Sequence, residues 1–222
     1  MISVAITEKR YPGAAVLGPI AFDLKAQETL AITGPSGIGK TTLLRIIAGL
    51  DEDFDGRVRR PERLAMVFQE PTLLPWRSAR DNICLTTGAE PKKAETLLAE
   101  VGLAGMGERF PTQLSLGQQR RLALARAFAA EPDLLLMDEP FVSLDPALTE
   151  EMLELTERLL AARPVATVFV THSQMEAARL ASRIVRLEGM PATIATDACN
   201  GARLHSRDQE DRNQGDQDQN RT

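Results

Sequence analysis

Short apolar runs and longer amphipathic segments alternate along most of the chain. Ile2 to Thr7 alternates apolar and polar residues, which predicts a strand. Pro19 to Leu24 and Glu28 to Thr33 are short and rich in β-forming residues, and they predict two more strands. Continuously apolar strands that alternate with helices are typical of a parallel sheet covered on both faces. Three runs have that character: Leu64 to Phe68, Leu134 to Met137 and Val165 to Val170.

Helical patterns follow the early strands and fill the middle of the chain. Thr41 to Leu50 is apolar and helical, and Gly49 near its end is a stop signal. Lys92 to Val101 carries apolar residues at helical spacing, and Gln118 to Ala130 is rich in alanine, leucine and arginine. Because no strand pattern lies between these last two, we predict a mostly helical subdomain, about residues 72–130, inserted into an α/β core.

Composition limits the classes of function. The chain has 222 residues, 43% of them hydrophobic and 26% charged, which is ordinary for a globular protein. Its formal net charge of −5 argues against a nucleic-acid partner. No apolar run approaches the ~20 residues that a membrane-spanning helix needs. Cys84 and Cys199 lie far apart without companion ligands, so we expect neither a zinc site nor a disulfide. A local basic cluster predicts a solvated turn: Arg57, Arg59, Arg60 and Arg63.

The polar character of the chain changes near its end. The segment from Ser206 to Thr222 consists mostly of Asp, Gln, Asn and Arg and has no large apolar residue. Such a segment cannot bury enough surface to offset its ordering entropy. We therefore predict one folded domain over residues 1–202 and a disordered tail over residues 203–222.

One segment fits the phosphate-loop pattern G-x-x-x-x-G-K-[ST] and lies between a predicted strand and a predicted helix. Glycines let the backbone turn its N–H groups toward phosphates, and the following helix adds the positive end of its dipole. Lys40 can reach the β- and γ-phosphates of ATP, and the Thr41 hydroxyl can bind Mg²⁺. The predicted ATP-binding residues are Gly34, Pro35, Ser36, Gly37, Ile38, Gly39, Lys40, Thr41 and Thr42.

Two carboxylates follow the apolar run that ends at Met137. A buried carboxylate is costly unless it is paired with a cation, and ligands of open α/β sheets bind at the carboxyl ends of the strands. Asp138 is suited to hold Mg²⁺, and Glu139 is suited to polarise an attacking water. An apolar strand that ends in acids is a weak signal alone, but beside a phosphate loop it indicates nucleotide hydrolysis.

A second candidate anion site lies at Leu114 to Gln118. Ser115 and Gln118 form a capping-box pattern, so the simplest interpretation is a helix cap. The same pattern at Ser173 and Glu176 predicts a second helix cap, just after His172. The alternative is that the Ser115 hydroxyl, the Gly117 N–H and the helix N-terminus together bind an anion.

With these motifs in order, the sequence resembles the ATP-binding cassette (ABC) transporter ATPases over nearly the whole chain, to about Ile194. The resemblance implies a P-loop NTPase core with a parallel sheet, an antiparallel β subdomain at the N-terminus and an inserted helical subdomain. It also implies roles for six positions: Tyr11 stacks on adenine, Gln69 contacts Mg²⁺ or the attacking water, Asp138 is the Walker B aspartate, Glu139 is the catalytic glutamate, Asp145 belongs to the D-loop, and His172 is the switch histidine.

The resemblance further implies that two copies of the chain face each other. Ser115, Leu116, Gly117 and Gln118 would then contact the ATP held by the phosphate loop of the second copy. The family usually has glycine where this chain has Leu116. If that position needs a positive φ angle, the contact with the γ-phosphate would be weakened. We expect the site to survive, because the capping pattern does not involve the Leu116 side chain.

Several functions are compatible with an ATPase of this type. A P-loop kinase would lack the family's signature motif, which Leu114 to Gln118 resembles. A DNA-repair cassette would need a long coiled-coil insertion, and a translation factor typically has two cassettes. The expected function is therefore solute import through separate permease subunits and, indirectly, a solute-binding protein, with the chain peripheral at the cytoplasmic face of the inner membrane. An exporter ATPase and a non-transport ABC ATPase stay open.

Two segments are similar to importers of nitrate, sulfonates and taurine: residues 69–76 and 138–141. The first contains a proline-bounded apolar cluster, Leu73, Leu74 and Trp76. This cluster either packs onto the helical subdomain or forms part of a groove for a short helix of the membrane subunit.

Overall fold

The computed structural model describes residues 2–200. The strands, in chain order, are β1 (Ile2–Tyr11), β2 (Ala14–Leu17), β3 (Ile20–Leu24), β4 (Thr29–Thr33), β5 (Asp55–Arg59), β6 (Leu64–Val67), β7 (Leu134–Asp138), β8 (Ala166–Val170), β9 (Arg183–Glu188) and β10 (Thr193–Cys199). The helices are α1 (Lys40–Ala48), α2 (Ala79–Thr87), α3 (Pro91–Glu100), α4 (Leu116–Ala129), α5 (Pro146–Ala162) and α6 (Gln174–Leu180), with a 3₁₀ turn at Pro111–Gln113. The predicted tail over residues 203–222 lies outside the described residues.

The larger sheet has six strands in the order β10–β9–β4–β8–β7–β6. All neighbouring pairs are parallel except β10 with β9, which are antiparallel. Strand β7 shows why its sequence is continuously apolar. Leu134 and Leu136 belong to the hydrophobic cluster on one face of the sheet, whereas Leu135 and Met137 belong to the cluster on the other. A strand covered on both faces needs apolar side chains at every position.

The smaller sheet is antiparallel and lies at the N-terminus, where β1 pairs with β2, β3 and β5. The predicted turn in the basic cluster is wrong at Arg57 and Arg59. Both residues belong to β5, where they pair with Ala5 and Ser3 of β1. Their side chains are exposed on this strand, and such charges discourage edge-to-edge pairing between sheets. The apolar pattern did not predict β5, because its stability comes from backbone pairing with β1.

The helical insert lies between β6 and β7, as the sequence predicts. Helices α2 and α3 both pack on α4, and α4 also packs against β6 of the core. Most residues of α4 are buried, including Leu122, Ala125 and Phe128. The observed mixed, mostly parallel sheet, the N-terminal antiparallel sheet and the helical insert confirm the predicted fold class. Within residues 2–200, no helix combines the length and apolar character needed to cross a bilayer.

The loop that leads from β6 into the insert is shaped by one buried amide. Asn82 of α2 has no exposed surface, and its Oδ1 accepts a 2.7 Å hydrogen bond from the backbone N–H of Leu74. Its Nδ2 donates to the carbonyl oxygens of Leu74, Arg77 and Ser78 at 3.0–3.1 Å. One side chain therefore substitutes for the missing secondary structure of this loop.

Replacing Asn82 with alanine should destabilise the protein strongly. The change leaves the Leu74 N–H and the Arg77 carbonyl without their partner, whereas the Leu74 and Ser78 carbonyls each keep a backbone hydrogen bond. We therefore expect a loss of about 2–4 kcal/mol in the free energy of unfolding. Urea unfolding followed by circular dichroism measures this loss. The control is Thr96→Ala, an exposed position on α3 that also loses one side-chain hydrogen bond and should change stability by less than about 0.5 kcal/mol. Equal stability of the two variants would contradict the role of Asn82.

Candidate functional site

The phosphate loop connects the end of β4 to the start of α1. Two of its glycines are required by the geometry. Gly34 has a φ of 148°, and a Cβ there would lie 2.7 Å from the carbonyl oxygen of Leu187. Gly39 caps α1 with a φ of 108°, and a Cβ there would lie 2.8 Å from Leu17 of β2. Any larger residue would open the loop or push the β1–β2 hairpin away from it.

Lys40 places its charge inside this loop. The side chain is buried, and Nζ donates hydrogen bonds to the carbonyl oxygens of Gly34 at 3.0 Å and Pro35 at 2.8 Å. Nζ also lies 3.8 Å from Oε1 of Glu139. A cation at the start of a helix, surrounded by a curled backbone, provides the arrangement that a polyphosphate needs.

A hydrogen bond joins the phosphate loop to the end of β7. The Thr41 hydroxyl donates to Oδ1 of Asp138 at 2.9 Å. Burial raises the pKa of Asp138 above its ordinary value; the hydrogen bond from Thr41 opposes this shift, and the nearby charge of Glu139 adds to it. Asp138 is therefore a carboxylate whose charge is poorly compensated by the protein alone, as expected of a group that binds a cation.

Glu139 lies between two cationic or potentially cationic side chains. Its Oε1 faces Lys40, and its Oε2 lies 3.6 Å from Nδ1 of His172. Its backbone has a φ of +45°, which is unusual for a residue other than glycine, and its N–H donates to the carbonyl oxygen of Val170 at 3.1 Å. The strained turn after β7 aims the carboxylate at the phosphate loop, and Val170 of β8 fixes that turn.

The turn that carries His172 is fixed by a partly buried carboxyl group whose bond to this turn sequence reasoning missed. The Thr171 hydroxyl donates to Oε2 of Glu176 at 2.5 Å and accepts from the N–H of Ser173 at 2.9 Å. Burial raises the pKa of Glu176. Ser173 caps α6 through the N–H of Glu176, as its sequence pattern predicts, but the Glu176 side chain bonds Thr171 instead of completing the box.

Gln69 and Asp145 lie at the edges of this group. Gln69 is exposed and follows β6 by two residues; because Val67 pairs with Met137, Gln69 leaves the sheet at the same edge as Glu139. Asp145 caps α5, accepting a 2.9 Å hydrogen bond from the N–H of Leu148. The structure thus gives Asp145 a local role as a helix cap, which is compatible with a second role in the D-loop.

Tyr11 is the last residue of β1, and 41% of its surface is exposed. Its hydroxyl donates to Oδ2 of Asp51 at 3.1 Å. The hairpin that carries it rests on the phosphate loop, because Val16 and Leu17 of β2 contact Gly39. Tyr11 itself pairs with Ala14 at the turn end of this hairpin.

The signature residues form the start of α4. Ser115 and Gln118 make both halves of the capping box, with hydrogen bonds of 3.2 and 3.0 Å. Leu116 is the first helical residue, with a half-exposed side chain, so this position does not need the positive φ that glycine favours. Within residues 2–200, no hydrogen bond or ion pair links Ser115 or Gln118 to the phosphate loop.

The five residues that the structure brings together are Lys40, Thr41, Asp138, Glu139 and His172.

Two arginines of α4 were also missed by sequence reasoning. Arg120 donates to the carbonyl oxygens of Pro140 at 2.9 Å and Val142 at 2.6 Å, in the loop after Glu139. Arg126 donates to the carbonyl oxygens of Pro71 and Thr72, in the loop after Gln69. Burial lowers the pKa of both guanidinium groups. The only sequence signal was two arginines inside an alanine- and leucine-rich helix, where a charge needs a specific partner.

Comparison with known proteins identifies the family. Residues 17–142 match the family model described as ABC transporter. The chain belongs to the ABC transporter family. A sulfonate-import ATP-binding protein of Rhodococcus jostii is 44% identical over 184 residues, which cover 80% of this chain and 75% of the relative. A sulfonate-import ATP-binding protein of Granulibacter bethesdensis is 41% identical over 190 residues, which cover 85% of this chain and 80% of the relative.

Solved ABC cassettes have the same fold. A dimeric cassette in a post-hydrolysis state, bound to ADP and Pi, superposes with a TM-score of 0.78 at 27% identity and covers 90% of this chain and 99% of that one. A dimeric bacterial ABC transporter cassette gives the same TM-score at 29% identity. The predicted ABC family and its ATPase activity are confirmed.

Replacing Asp138 with asparagine should stabilise the protein while destroying hydrolysis. Because burial raises the folded-state pKa, ionisation of Asp138 costs stability once the pH exceeds the ordinary carboxyl pKa of about 4. Asparagine keeps the acceptor for Thr41 and removes that cost, so the free energy of unfolding at pH 7 should rise. The difference in the free energy of unfolding between Asp138→Asn and the parent chain should shrink as the pH falls toward about 4. ATP hydrolysis should fall at least ~100-fold.

The matched control for this experiment is Asp133→Asn. The hydrogen bonds from Arg63 lower the pKa of Asp133, so its neutralisation should not raise stability at pH 7. If urea unfolding shows Asp138→Asn to be less stable than the parent chain at pH 7, the interpretation of Asp138 as a costly buried charge is wrong.

Proposed function

We propose that this chain is the ATP-hydrolysing subunit of an ABC importer and that it powers solute uptake through separate membrane subunits. The observation that carries the proposal is the grouping of Lys40, Asp138, Glu139 and His172 at one edge of the parallel sheet. The curated relatives named above are import proteins for aliphatic sulfonates, and their names support a sulfonate or a similar small organic anion as the solute. The chain would work at the cytoplasmic face of the inner membrane, with a solute-binding protein on the other side.

The reaction follows from the positions of the side chains. The phosphates of ATP lie in the curl of the loop, where Lys40 exchanges its bonds to the Gly34 and Pro35 carbonyls for the β- and γ-phosphate oxygens. Glu139 orients and polarises the water that attacks the γ-phosphorus. His172, 3.6 Å from Glu139, contacts the γ-phosphate and keeps that carboxylate in place. Phosphoryl transfer needs mainly this kind of positioning and charge stabilisation.

The oxygen ligands that face the loop fit Mg²⁺. The Asp138 carboxylate and the Thr41 hydroxyl meet at 2.9 Å, and both are hard oxygen donors on rigid elements. Mg²⁺ typically binds one or two such groups together with substrate phosphates and waters. We assign Thr41 and Asp138 as its protein ligands, with Gln69 at the edge of the same site. When bound, the ion neutralises charge on the phosphate oxygens.

The active unit is a head-to-tail dimer of two copies. The capping box uses the N–H groups of Ser115 and Gln118, and those of Leu116 and Gly117 have no acceptor within α4, so we propose that they meet the γ-phosphate held by the partner. The two solved cassettes of similar fold are both dimers. In this arrangement Ser115, Leu116, Gly117 and Gln118 complete the site of the second copy. We also propose residues 1–202 as the ATPase domain, with residues 72–130 as its helical subdomain.

Glu139→Gln should trap the ATP-bound dimer. The amide keeps the size of the carboxylate but cannot polarise water, so hydrolysis should fall at least ~100-fold while ATP binding persists. Size-exclusion chromatography with ATP should then show a dimer, and adding Ser115→Arg should return the chain to monomers. Hydrolysis at the parent rate in Glu139→Gln would remove this residue from catalysis, and a dimer that ignores Ser115→Arg would remove the signature residues from the interface.

The permease contact is proposed for the loop after Gln69. Leu73 packs against the core, so this residue serves folding. Trp76, in contrast, is 68% exposed, and the hydrogen bonds of Asn82 hold the loop beneath it in shape. An exposed indole on a rigid loop is a suitable anchor for a short helix of a partner. Arg126 connects the same loop to α4, which links the partner contact to the nucleotide site.

Trp76→Ala should uncouple transport without harming the isolated ATPase. Co-purification with the permease and solute uptake into cells should both fall about tenfold or more, as expected for the loss of an interface anchor. The ATPase rate of the isolated chain should stay unchanged, because no residue of the nucleotide site is altered. Met190→Ala, which removes an even more exposed apolar side chain on the β9–β10 turn, is the control. Normal uptake in Trp76→Ala would show that the Trp76 side chain does not anchor the permease.

A further inference from the structure

A buried lysine lies directly beneath the aromatic ring at the end of β1. Lys9 is only 2% exposed, although lysine is rarely buried without a partner. Its Nζ donates to Oδ1 of Asp51 at 2.8 Å and to the carbonyl oxygen of Asp53 at 2.5 Å. The same ammonium group lies 4.6 Å from the centre of the Tyr11 ring. Lys9 therefore contacts both the segment after α1 and one face of an exposed tyrosine.

Asp51 completes a three-residue cluster with Lys9 and Tyr11. One of its carboxylate oxygens accepts from Lys9, and the other accepts from the Tyr11 hydroxyl at 3.1 Å. The hydrogen bond that Lys9 donates to Asp51 raises the pKa of Lys9. Burial works against ionisation of Asp51, but the hydrogen bonds from Lys9 and Tyr11 outweigh it and lower its pKa. Both groups consequently stay charged at neutral pH.

This cluster fixes the orientation of the Tyr11 ring. A tyrosine at the end of a strand normally has several rotamers open to it. Here the hydroxyl is held by Asp51, and one face is covered by a cation that is attracted to the ring. The opposite face stays available for a stacked ligand. A ring that is already ordered loses less conformational freedom when that ligand binds, so it binds more tightly.

The cluster also connects the ring to the phosphate loop. Asp51 comes two residues after Gly49, which ends α1 with a hydrogen bond from the Leu50 N–H to the Arg45 carbonyl oxygen. Helix α1 starts at Lys40, so one rigid helix has the phosphate loop at its first residue and Asp51 just beyond its last turn. The spacing between the phosphates and the ring is thus set by α1 and not by the hairpin alone.

We propose that Lys9 and Asp51 are positioning residues for the purine base of ATP, because they hold Tyr11 at a fixed orientation and distance from the phosphate loop. The proposal rests on the function proposed above and on the adenine-stacking role of Tyr11 that the family resemblance implies. Lys9 and Asp51 themselves do not touch the nucleotide. Their loss should weaken the binding of ligands that carry a base and leave the binding of ligands without a base unchanged.

The experiment compares two ligands by titration calorimetry with Mg²⁺: ATP and inorganic tripolyphosphate, which has no base. The main variant is the double change Lys9→Met with Asp51→Asn, which removes both charges and so leaves no buried ion without a partner. We expect its affinity for ATP to fall about 5- to 50-fold, the range typical of a lost aromatic–base stack. Its affinity for tripolyphosphate should stay within about twofold, because the phosphate loop is unchanged.

Three further variants separate the possible results. Tyr11→Phe keeps the ring and removes only the bond to Asp51, so it should lose part of the ATP affinity. Tyr11→Ala should lose at least as much as the double variant. Arg63→Met with Asp133→Asn also removes one positive and one negative charge, but from an exposed ion pair, and it should change neither affinity.

Two outcomes would overturn the inference while leaving the base contact in place. One is unchanged ATP affinity in the double variant although Tyr11→Ala binds ATP weakly. The other is an equal loss of ATP and tripolyphosphate in the double variant, which would assign the ion pair to folding. If Tyr11→Ala itself binds both ligands normally, the proposed base contact fails, and the positioning role fails with it.

Discussion

The parallel pairing of β4, β8 and β7 is the constraint on which the rest of the structure depends. Since the three strands run in the same direction, the loops after them leave the sheet at one edge. This edge brings Lys40, Asp138 and His172 together from three separate parts of the chain. The pairing also forces the strands to be apolar on both faces, which in turn requires helices above and below. The β1–β2 hairpin and the helical insert then flank this edge of the sheet.

Local signals explain why much of the fold and the centre of the site were predictable. The glycines of the phosphate loop, the apolar run before Asp138 and the serine caps of α4 and α6 each act within a few residues of chain. Their physical requirements are therefore visible in the sequence itself. Gly49 is a further example, because the left-handed turn that ends α1 favours glycine whatever surrounds it.

The contacts that sequence reasoning missed form only in the folded chain, whether they join distant segments or, as for Asn82 and Glu176, residues within eight positions of each other. Lys9 meets Asp51, Asn82 holds a loop backbone, and Arg120 meets the carbonyls after Glu139 only in the folded chain. None of these residues belongs to a periodic pattern, since a single buried polar group has no repeat. Strand β5 was mistaken for a turn for the same reason: its stability comes from pairing with β1 and not from its own composition. A hint existed only for the arginines of α4, which are charged residues within an alanine- and leucine-rich helix.

Helix α4 has a mechanical consequence. Ser115 caps its first turn, Arg120 donates hydrogen bonds to the loop after Glu139, and Arg126 donates hydrogen bonds to the loop after Gln69. In the dimer proposed above, the N-terminal end of α4 faces the partner, and its two arginine contacts lie beside its own catalytic edge. A tilt of α4 displaces both loops, since otherwise the two guanidinium groups lose their carbonyl acceptors. In that dimer, closure around one ATP would therefore shift the catalytic loops that hold the other, so that hydrolysis at the two sites would be coupled.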